Sequence, residues 1–398
     1  MDKYSNRLNI IMVVRFYYPH LGGNENQARL LVEQLKENYP VEITIVTSLH
    51  DKNLKQFETL EDINIVRLPH FLVKKKSTNK KSIPIKLINK IKFLCQEYSY
   101  QIKLLKFLLK KIKSIDIIHV HQTSWLSIIP SIIGRKYNKP VIIKEATLNG
   151  FQFLRTLFLP SQLKQIPIKF SNFIGVSSMI IENLLQQGVS KDKVFFIPNG
   201  VKFPSALPAI KPHINSFKKI LFVGNFSHGK IKGFDILLLA ISIVRKSFPD
   251  FILQVIGNGD AHEYDNIITQ NTLRDNIEFL GEKKDVTRYY QAANVFVLPS
   301  RSEGMSNSLL EAMAYGTPCI ATKVSGAEDI IDNSINGFIV AIEDYQAMAE
   351  KILEILTKPD LEKKFKRNSR EKIEKKFSIE AIAKQYYKVY SKLANNES

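Results

Sequence analysis

Short apolar runs alternate with longer amphipathic stretches along almost the whole chain, and this alternation constrains the fold more than any other feature. In the first half we predict strands at 8–14, 41–48, 63–68, 116–121, 141–146, 173–178 and 194–199, and helices at 24–38, 84–112 with a break, 124–137 and 179–187. Apolar strands separated by helices pair in parallel, in sheets that are covered on both faces. The pattern therefore predicts an α/β fold.

A second alternation follows a polar, proline-bearing stretch at 202–218. Its predicted strands are 219–225, 251–259, 277–281, 294–300, 318–322 and 337–340, its predicted helices are 233–247, 262–272, 285–292, 307–315 and 326–332, and more helices follow from 344. A chain of 398 residues exceeds one ordinary core. We therefore predict two Rossmann-like domains, 1–201 and 219–376, a linker at 202–218, and a last helix at 377–398 that packs back on the first domain.

The composition excludes several classes of protein. Cys95 and Cys319 are the only cysteines and stand far apart, which argues against a disulfide framework and fits a reducing compartment. No CxxC or HExxH spacing occurs, so we predict no metal site. The first apolar run is short and is typical of a strand rather than a signal peptide, and no stretch approaches the length of a membrane span. We expect a cytoplasmic protein, soluble or peripheral to a membrane.

The formal charge of +19 is concentrated in one segment: residues 74–113 carry thirteen lysines and a single acid, Glu97. The lysines are interleaved with Ile, Leu and Phe, a basic amphipathic pattern that suits an anionic bilayer surface. Each lysine near such a surface contributes about 1 kcal/mol. The alternative is a solvated helix in a lysine-rich proteome. No helix-turn-helix, RNP-like or zinc motif accompanies the charge, so we predict no nucleic-acid partner.

Glu303 and Glu311 stand eight residues apart, where a buried strand gives way to a helix. Ligands of open α/β sheets lie outside the carboxyl ends of the strands, and Glu303 is in such a loop. Two carboxylates at this spacing can hold hydroxyls at separate ends of one extended ligand. The backbone N–H groups of residues 304–307 (Gly304, Met305, Ser306 and Asn307) open toward a phosphate between them. Alternatively, Ser308 and Glu311 form a capping box and Glu303 is a solvated acid.

Other strand ends carry weaker signals. Gly22 and Gly23, after the first strand, let backbone approach a ligand, although glycine pairs are also ordinary turns. The sequence there is not GxGxxG, so the dinucleotide fingerprint is absent. Lys230 and Lys232 precede the first helix of the second domain, where a lysine can neutralise a leaving diphosphate. They are otherwise exposed turn lysines.

His119 and His121 alternate on one face of their strand. His121 lies nearer the strand end and is the one that we expect to reach a ligand. The alternative is that both are structural.

Taken together, these residues resemble the retaining glycosyltransferase family 4 of the GT-B fold. EGMSNSLLEAMAYGTPCIAT (303–322) is similar to the family's E-x7-E signature and its continuation, and VSGAEDIIDNSINGFIV (324–340) is similar to the glycine turn, acid and NG that follow. The resemblance implies two Rossmann-like domains that face each other across a cleft, with a C-terminal helix that crosses back to the first domain.

By that resemblance, Glu311 binds the ribose hydroxyls, Glu303 lies beside the transferred sugar and Lys232 binds the diphosphate. The N–H groups of residues 304–307 face the diphosphate, His121 is the acceptor-side histidine, and the family's glycine loop and cleft-lining segment correspond to Gly22, Gly23 and Asn199. Asn225 replaces an arginine that is usual in the family, and Lys230 is a candidate to compensate for it. Ser325 stands where a glycine pair is usual, and Glu145 replaces a frequent histidine, which indicates an unusual acceptor pocket.

We therefore expect a retaining, metal-independent glycosyltransferase without a cofactor, which acts in surface polysaccharide biosynthesis (lipopolysaccharide or capsule). Its donor would be a nucleoside diphosphate sugar, and its acceptor a hydroxyl of a lipid-linked oligosaccharide at the inner face of a membrane. A non-enzymatic membrane- or polyanion-binding protein on a degenerate GT-B scaffold is the alternative, favoured by the charge of +19 and by Asn225. A phosphorylase or nucleotide-sugar epimerase of the same architecture is a second alternative.

Overall fold

The computed structural model describes residues 7–19, 22–51, 53–69, 83–148, 150, 161–204, 217–226 and 231–395. They form two compact units. The first unit comprises Met1–Val176, Ile180–Ile197 and Ala383–Ser398, and the second comprises Ser177–Met179 and Pro198–Ile382. Lys230 and residues 205–216 of the predicted linker lie outside the described residues. The predicted domain boundaries stay predictions.

The first unit is built on an eight-stranded sheet of order β3-β4-β2-β1-β5-β6-β7-β8. Its strands are β1 (Leu8–Val13), β2 (Val41–Leu49), β3 (Phe57–Leu60), β4 (Ile63–Pro69), β5 (Ile117–Val120), β6 (Val141–Glu145), β7 (Asn172–Gly175) and β8 (Val194–Phe196). Its helices are α1 (Gly23–Asn38), α2 (Ile83–Lys111), α3 (Ile128–Tyr137), α4 (Ser161–Phe170) and α5 (Ser178–Gln186). Every neighbouring pair is parallel except β3 and β4. Every residue of β5 and β6 is buried, as expected for central strands covered on both faces.

The second unit is built on a parallel six-stranded sheet of order β11-β10-β9-β12-β13-β14. Its strands are β9 (Lys218–Val223), β10 (Phe251–Ile256), β11 (Ile277–Gly281), β12 (Val295–Leu298), β13 (Cys319–Thr322) and β14 (Phe338–Val340). Its helices are α6 (Phe234–Ser247), α7 (Asp265–Gln270), α8 (Thr287–Ala292), α9 (Asn307–Ala314), α10 (Ala327–Ile330), α11 (Tyr345–Thr357) and α12 (Pro359–Lys376). One apolar core joins the sheet to α6 and α11.

The last helix, α13 (Ile379–Ala394), belongs to the first unit from Ala383 onward. Tyr387 stacks on Tyr39 with ring centroids 4.4 Å apart, and the Tyr390 hydroxyl is 2.7 Å from His119 Nδ1. These contacts confirm that the C-terminal helix packs on the first unit.

Four elements differ from the sequence predictions, and one of them is helix α4 (Ser161–Phe170), which was not predicted. The short strand β3 was not predicted, because an edge strand whose residues are all exposed or half-buried lacks an apolar run. The helix predicted with a break at 84–112 is continuous from Ile83 to Lys111. The helix predicted at 262–272 is a 3₁₀ turn, Ala261–Tyr264, followed by α7.

Helix α2 carries most of the described part of the basic segment. Lys74, Lys75, Lys76, Lys80 and Lys81, and the side chains of Lys86, Lys90 and Lys92, lie outside the described residues. Tyr100, Leu104 and Leu108 are buried against the unit, whereas Lys103 and Lys106 are exposed. Within the described residues, no helix combines the length and the apolar character that crossing a membrane requires.

We predict that Gly257→Ala destabilises the second unit much more than Gly281→Ala. Both glycines have a positive φ, 137° and 68°. A Cβ at residue 257 would lie 2.1 Å from the Gly224 carbonyl oxygen, whereas a Cβ at residue 281 meets nothing within 4 Å. Gly281→Ala should therefore cost about 1 kcal/mol, the cost of a left-handed residue. Gly257→Ala should cost at least about 2 kcal/mol more, since backbone must move. Urea unfolding midpoints measure the difference, and equal midpoints would contradict the close approach.

Candidate functional site

The loop after β12 holds a carboxylate between two donors. Lys232 Nζ and Ser300 Oγ each donate a hydrogen bond to Glu303 Oε1, both at 2.7 Å. The Glu303 side chain is 10% exposed and that of Lys232 is 34% exposed. Since β9 and β12 are neighbours, the loops that follow them meet at the carboxyl edge of the sheet. The structure thus brings together the two residues that the sequence had placed at a sugar and at a diphosphate.

Gly233 allows the loops that follow β9 and β12 to approach each other closely. It stands at the N-cap of α6 with φ 62°, and a Cβ there would lie 1.9 Å from the Pro299 carbonyl oxygen. Next to it, the Arg301 backbone N–H donates to the Ile231 carbonyl at 2.7 Å. Glycine therefore lets the segment with Lys232 lie directly against the end of β12.

A second glycine, Gly326, supports the loop that enters α9. Its φ is 77°, and a Cβ there would lie 2.7 Å from the Gly304 carbonyl oxygen. Ser325, where the family pair has its other glycine, is buried, and its hydroxyl forms a hydrogen bond with the Ser177 hydroxyl at 2.7 Å. The departure at Ser325 therefore leaves intact the glycine on which the close approach depends.

Helix α9 begins with a cap that differs from the capping-box alternative. Ser306, not Ser308, is the N-cap, and its Oγ accepts a hydrogen bond from Leu309 N–H at 3.3 Å. Asn199 Nδ2 donates to Asn307 Oδ1 at 3.0 Å, so Asn199 supports the start of the helix within the second unit.

Glu311 is not used as a cap. It accepts a hydrogen bond from the Tyr290 hydroxyl at 3.0 Å, and the Tyr290 ring stacks on Tyr315. Burial raises the pKa of Glu311, and the Tyr290 hydrogen bond opposes that shift. The capping-box alternative is therefore wrong. A hydrogen bond from Tyr290 on α8 holds the Glu311 carboxylate in place.

Two positions near the predicted diphosphate site are less informative. Asn225 is exposed after β9. Lys230, the predicted substitute for the missing arginine, lies outside the described residues.

Gly22 is the N-cap of α1 with an extended φ of −108°, and a Cβ on it would meet the Glu25 carboxylate at 2.2 Å. The glycine pair at Gly22 and Gly23 is thus at a helix start, with an acidic side chain beside it.

In the first unit, His119 and His121 lie on one face of the sheet with ring centroids 4.5 Å apart. His119 is fully buried and hydrogen-bonded to the Tyr390 hydroxyl, so it holds α13 on the first unit. Burial, together with the charge of Lys144, lowers the pKa of His119 to about 3 and the pKa of His121 well below its usual value. Both imidazoles are therefore neutral at pH 7. A neutral His121 at the strand end can accept or donate one hydrogen bond.

The end of β6 holds two buried ionisable side chains. Burial lowers the pKa of Lys144 to about 7 and raises the pKa of Glu145 to about 7. Glu145 Oε1 accepts hydrogen bonds from the backbone N–H and the hydroxyl of Thr147, both at 2.9 Å. A Cβ on Gly150 would lie 1.9 Å from Glu145 Oε2. The unusual glutamate is thus part of a tightly packed turn.

Two family models match the chain. The model described as Glycosyltransferase Family 4 matches residues 21–203, and the model described as Glycosyl transferases group 1 matches residues 206–372. Together they cover nearly all of both units. The chain belongs to glycosyltransferase family 4.

Relatives of this glycosyltransferase extend over its length. An uncharacterized glycosyltransferase of Methanocaldococcus jannaschii is 28% identical over 395 residues, which is 97% of this chain and 99% of that protein. The UDP-Gal:alpha-D-GlcNAc-diphosphoundecaprenol alpha-1,3-galactosyltransferase of Escherichia coli is 28% identical over 300 residues, 68% of this chain and 74% of that protein. The solved sucrose-phosphate synthase of Thermosynechococcus elongatus matches with a TM-score of 0.73 at 22% identity, over 98% of this chain and 100% of that one. The predicted GT-B fold is confirmed.

The sequence reasoning missed several residues of this glycosyltransferase that the structure shows beside the site. Ser300, Tyr290 and Arg301 all contact acidic side chains there. Lys144 could have been found, because a lysine inside the apolar run VIIKE is unusual. Within the described ranges, no group of three His, Cys, Asp or Glu side chains is placed to hold a metal ion.

We predict that Lys144 makes the stability of the glycosyltransferase rise with pH. Its pKa is about 7 in the folded protein, against 10.5 for an unburied lysine. Between these values the unfolded chain binds more protons, so the free energy of unfolding increases with pH. Lys144→Met should remove this slope, and the exposed control Lys103→Met should keep it. Urea unfolding across this pH window measures both. A wild-type slope equal to that of Lys144→Met would show that the amine is not buried.

Proposed function

We propose that this protein is a retaining, metal-independent glycosyltransferase that moves a sugar from a nucleoside diphosphate sugar to a hydroxyl of a lipid-linked glycan. The observation that carries the proposal is the Lys232–Glu303 pair, at 2.7 Å, beside the start of α9. The carboxyl edge of this sheet presents a cation, a carboxylate and a helix N-terminus. This combination suits a ligand with a sugar at one end and a diphosphate in the middle.

The donor binds mainly to the second unit in this proposal. Glu311 accepts hydrogen bonds from the ribose hydroxyls, and its hydrogen bond to Tyr290 fixes the carboxylate in place. The N–H groups of residues 304–307 face the diphosphate. Lys232 is one-third exposed, so its ammonium group can turn from Glu303 toward a phosphate oxygen.

Bond cleavage increases the negative charge on the departing diphosphate, and Lys232 stabilises that charge more in the transition state than in the ground state. Glu303 lies on the sugar side, where a carboxylate stabilises an oxocarbenium-like sugar. The acceptor hydroxyl attacks from the face that the diphosphate leaves. A leaving phosphate oxygen accepts the hydroxyl proton, so the mechanism requires no dedicated base. Neutral His121 in the first unit accepts a hydrogen bond from the acceptor.

Two observations support a lipid-linked acceptor at a membrane surface. The Escherichia coli relative is named for an acceptor that is linked to diphosphoundecaprenol. In addition, the outer face of α2 combines Lys103, Lys106 and Lys110 with exposed apolar side chains, Ile102 at 53% and Leu109 at 40% exposure. An exposed stripe of lysines and apolar residues suits an anionic bilayer. We propose that the protein acts in surface polysaccharide biosynthesis, at the cytoplasmic face of a membrane.

We predict a clear kinetic division between two variants. The wild type should release a nucleoside diphosphate from one of a panel of UDP-, GDP- and ADP-sugars with EDTA present. Glu311→Ala should raise the donor KM at least about 10-fold with a smaller change in kcat, because it removes charged hydrogen bonds to the ribose. Lys232→Ala should lower kcat about 100-fold or more, because it removes charge that acts in the transition state.

The exposed residues Lys363 and Glu374 on α12 provide matched controls, and alanine at either should leave both constants unchanged. Equal activity of Glu311→Ala and Lys232→Ala would contradict the assigned roles. No response to any donor, together with salt-sensitive binding to polyanions, would support the alternative of a non-enzymatic binding protein.

We also predict that α2 binds anionic vesicles. The triple variant Lys103→Glu, Lys106→Glu and Lys110→Glu should bind phosphatidylserine vesicles about 100-fold more weakly than the wild type, since each lysine contributes about 1 kcal/mol. Lys363→Glu, Lys366→Glu and Lys376→Glu on α12 change the net charge equally and should bind like the wild type. Vesicle sedimentation at low salt measures all three proteins. Absence of wild-type binding there would remove the membrane proposal.

A further inference from the structure

Arg301 joins three segments of the chain at the carboxyl edge of the second sheet. Its Nη1 and Nη2 donate to Asp235 Oδ1 and Oδ2 at 2.8 and 2.9 Å, and Nη2 also donates to Glu343 Oε2 at 3.0 Å. Its Nε donates to Glu343 Oε1. The three residues follow β12, β9 and β14 respectively. None of the donor contacts proposed above uses this set, which we call the arginine clamp (Arg301, Asp235 and Glu343).

Two members of the clamp are close along the chain to the two members of the Lys232–Glu303 pair. Asp235 is in the first turn of α6, three residues after Lys232, and Arg301 is two residues before Glu303. The clamp therefore joins the same two segments as the contact of Gly233 with the Pro299 carbonyl and the Arg301–Ile231 backbone hydrogen bond. The backbone of Lys232 lies between these attachments and has little freedom to move, whereas its partly exposed side chain can still turn.

Bidentate geometry makes the Arg301–Asp235 pair directional. A guanidinium with two parallel hydrogen bonds fixes both the distance and the angle of its carboxylate, which a lysine ammonium does not. The Asp235 side chain is 12% exposed and that of Arg301 is 24% exposed, so solvent screens the pair only in part. The hydrogen bonds to both acids raise the pKa of Arg301 above its usual value.

The third member of the clamp carries backbone strain. Glu343 has a φ of 69°, a left-handed conformation that favours glycine. Such a residue persists where its surroundings determine its conformation, and such residues cluster at functional sites. Both carboxylate oxygens of Glu343 are held by Arg301. The strain indicates that the clamp holds its loops in one defined arrangement.

We propose that Arg301 is a positioning residue, which fixes Asp235 and with it the 231–235 segment so that Lys232 is presented to Glu303 and to the donor diphosphate. This inference rests on the proposed function of Lys232. Arg301 itself does not contact the donor. Its effect on the reaction passes through Lys232.

Three variants separate positioning from charge. Arg301→Gln removes a positive charge near the diphosphate, and Asp235→Asn removes a negative one. If Arg301 acts only through space, the two changes alter kcat in opposite directions. If the clamp positions Lys232, both lower it. Arg301→Lys keeps the charge but loses the fork, so positioning predicts that it also lowers kcat by about 10-fold or more.

A double-mutant cycle tests whether the effect passes through Lys232. Arg301→Lys should lower kcat with a donor KM within about 3-fold of the wild type, because the Glu311 carboxylate is held by Tyr290 rather than by the clamp. In the Lys232→Ala background, the same substitution should change kcat less than about 2-fold. Lys323→Gln removes an exposed ion pair with Glu328 on a nearby loop and should leave all constants unchanged. Additive effects in the cycle, or a wild-type kcat for Arg301→Lys, would overturn the proposal.

A measurement without substrate keeps this test separate from the proposed function. If the wild type turns over no donor, the proposed function fails, but the clamp still predicts faster amide hydrogen exchange at residues 231–236 in Arg301→Gln and Asp235→Asn than in the wild type or Lys323→Gln. Unchanged exchange in those two variants would overturn the clamp whatever the activity. Thermal unfolding midpoints show whether any loss is global.

Discussion

The donor side of this glycosyltransferase depends on the close approach of residue 233 to the Pro299 carbonyl. The absence of a side chain at Gly233 brings the loop after β9 against the end of β12. The Lys232 ammonium then reaches the Glu303 carboxylate at 2.7 Å. The Gly326–Gly304 approach repeats this device at the entry to α9. At both places a glycine is required because backbone lies where a Cβ would stand. The side chains that carry the proposed chemistry are thus aimed by backbone packing.

The ends of β5 and β6 in the first unit follow a different principle, because burial there shifts the pKa of each ionisable group toward its neutral form. The two histidines of β5 have lowered pKa values, and Lys144 and Glu145 of β6 both have a pKa of about 7. In the second unit, by contrast, Lys232 and Arg301 are partly exposed and paired with acids. This contrast supports the proposal that the second unit binds an anionic donor and that the first unit binds the neutral sugar hydroxyl of the acceptor.

Local signals in the sequence predicted most of the fold and singled out the residues that are proposed to bind the donor. All six strands of the second unit were predicted, because buried parallel strands are continuous apolar runs with glycines and caps at their ends. Glu303, Glu311 and Lys232 were selected from their positions within short segments and from the family resemblance, and their roles stay predictions. The edge strand β3 was missed because it buries almost nothing.

Long-range partners were not predictable. Tyr290 is 21 residues from Glu311, and Asp235 is 66 residues from Arg301. Side chains that meet only after the sheet has formed leave no pattern along the chain. The N-cap residue of α9 was not predictable for a different reason. Ser306 and Ser308 are equally good N-cap residues, and only the helix start at Asn307 shows that Ser306 is the one used.

Retention of configuration at the transferred sugar is the central chemical claim, since it follows from attack on the face that the diphosphate leaves. Proton NMR of the reaction, recorded as the first product forms, reports the anomeric configuration of the new linkage directly. The account predicts that an α-linked donor sugar yields an α-linked product with EDTA present. A β-linked first product would contradict the front-face mechanism and would require a base on the opposite side of the sugar.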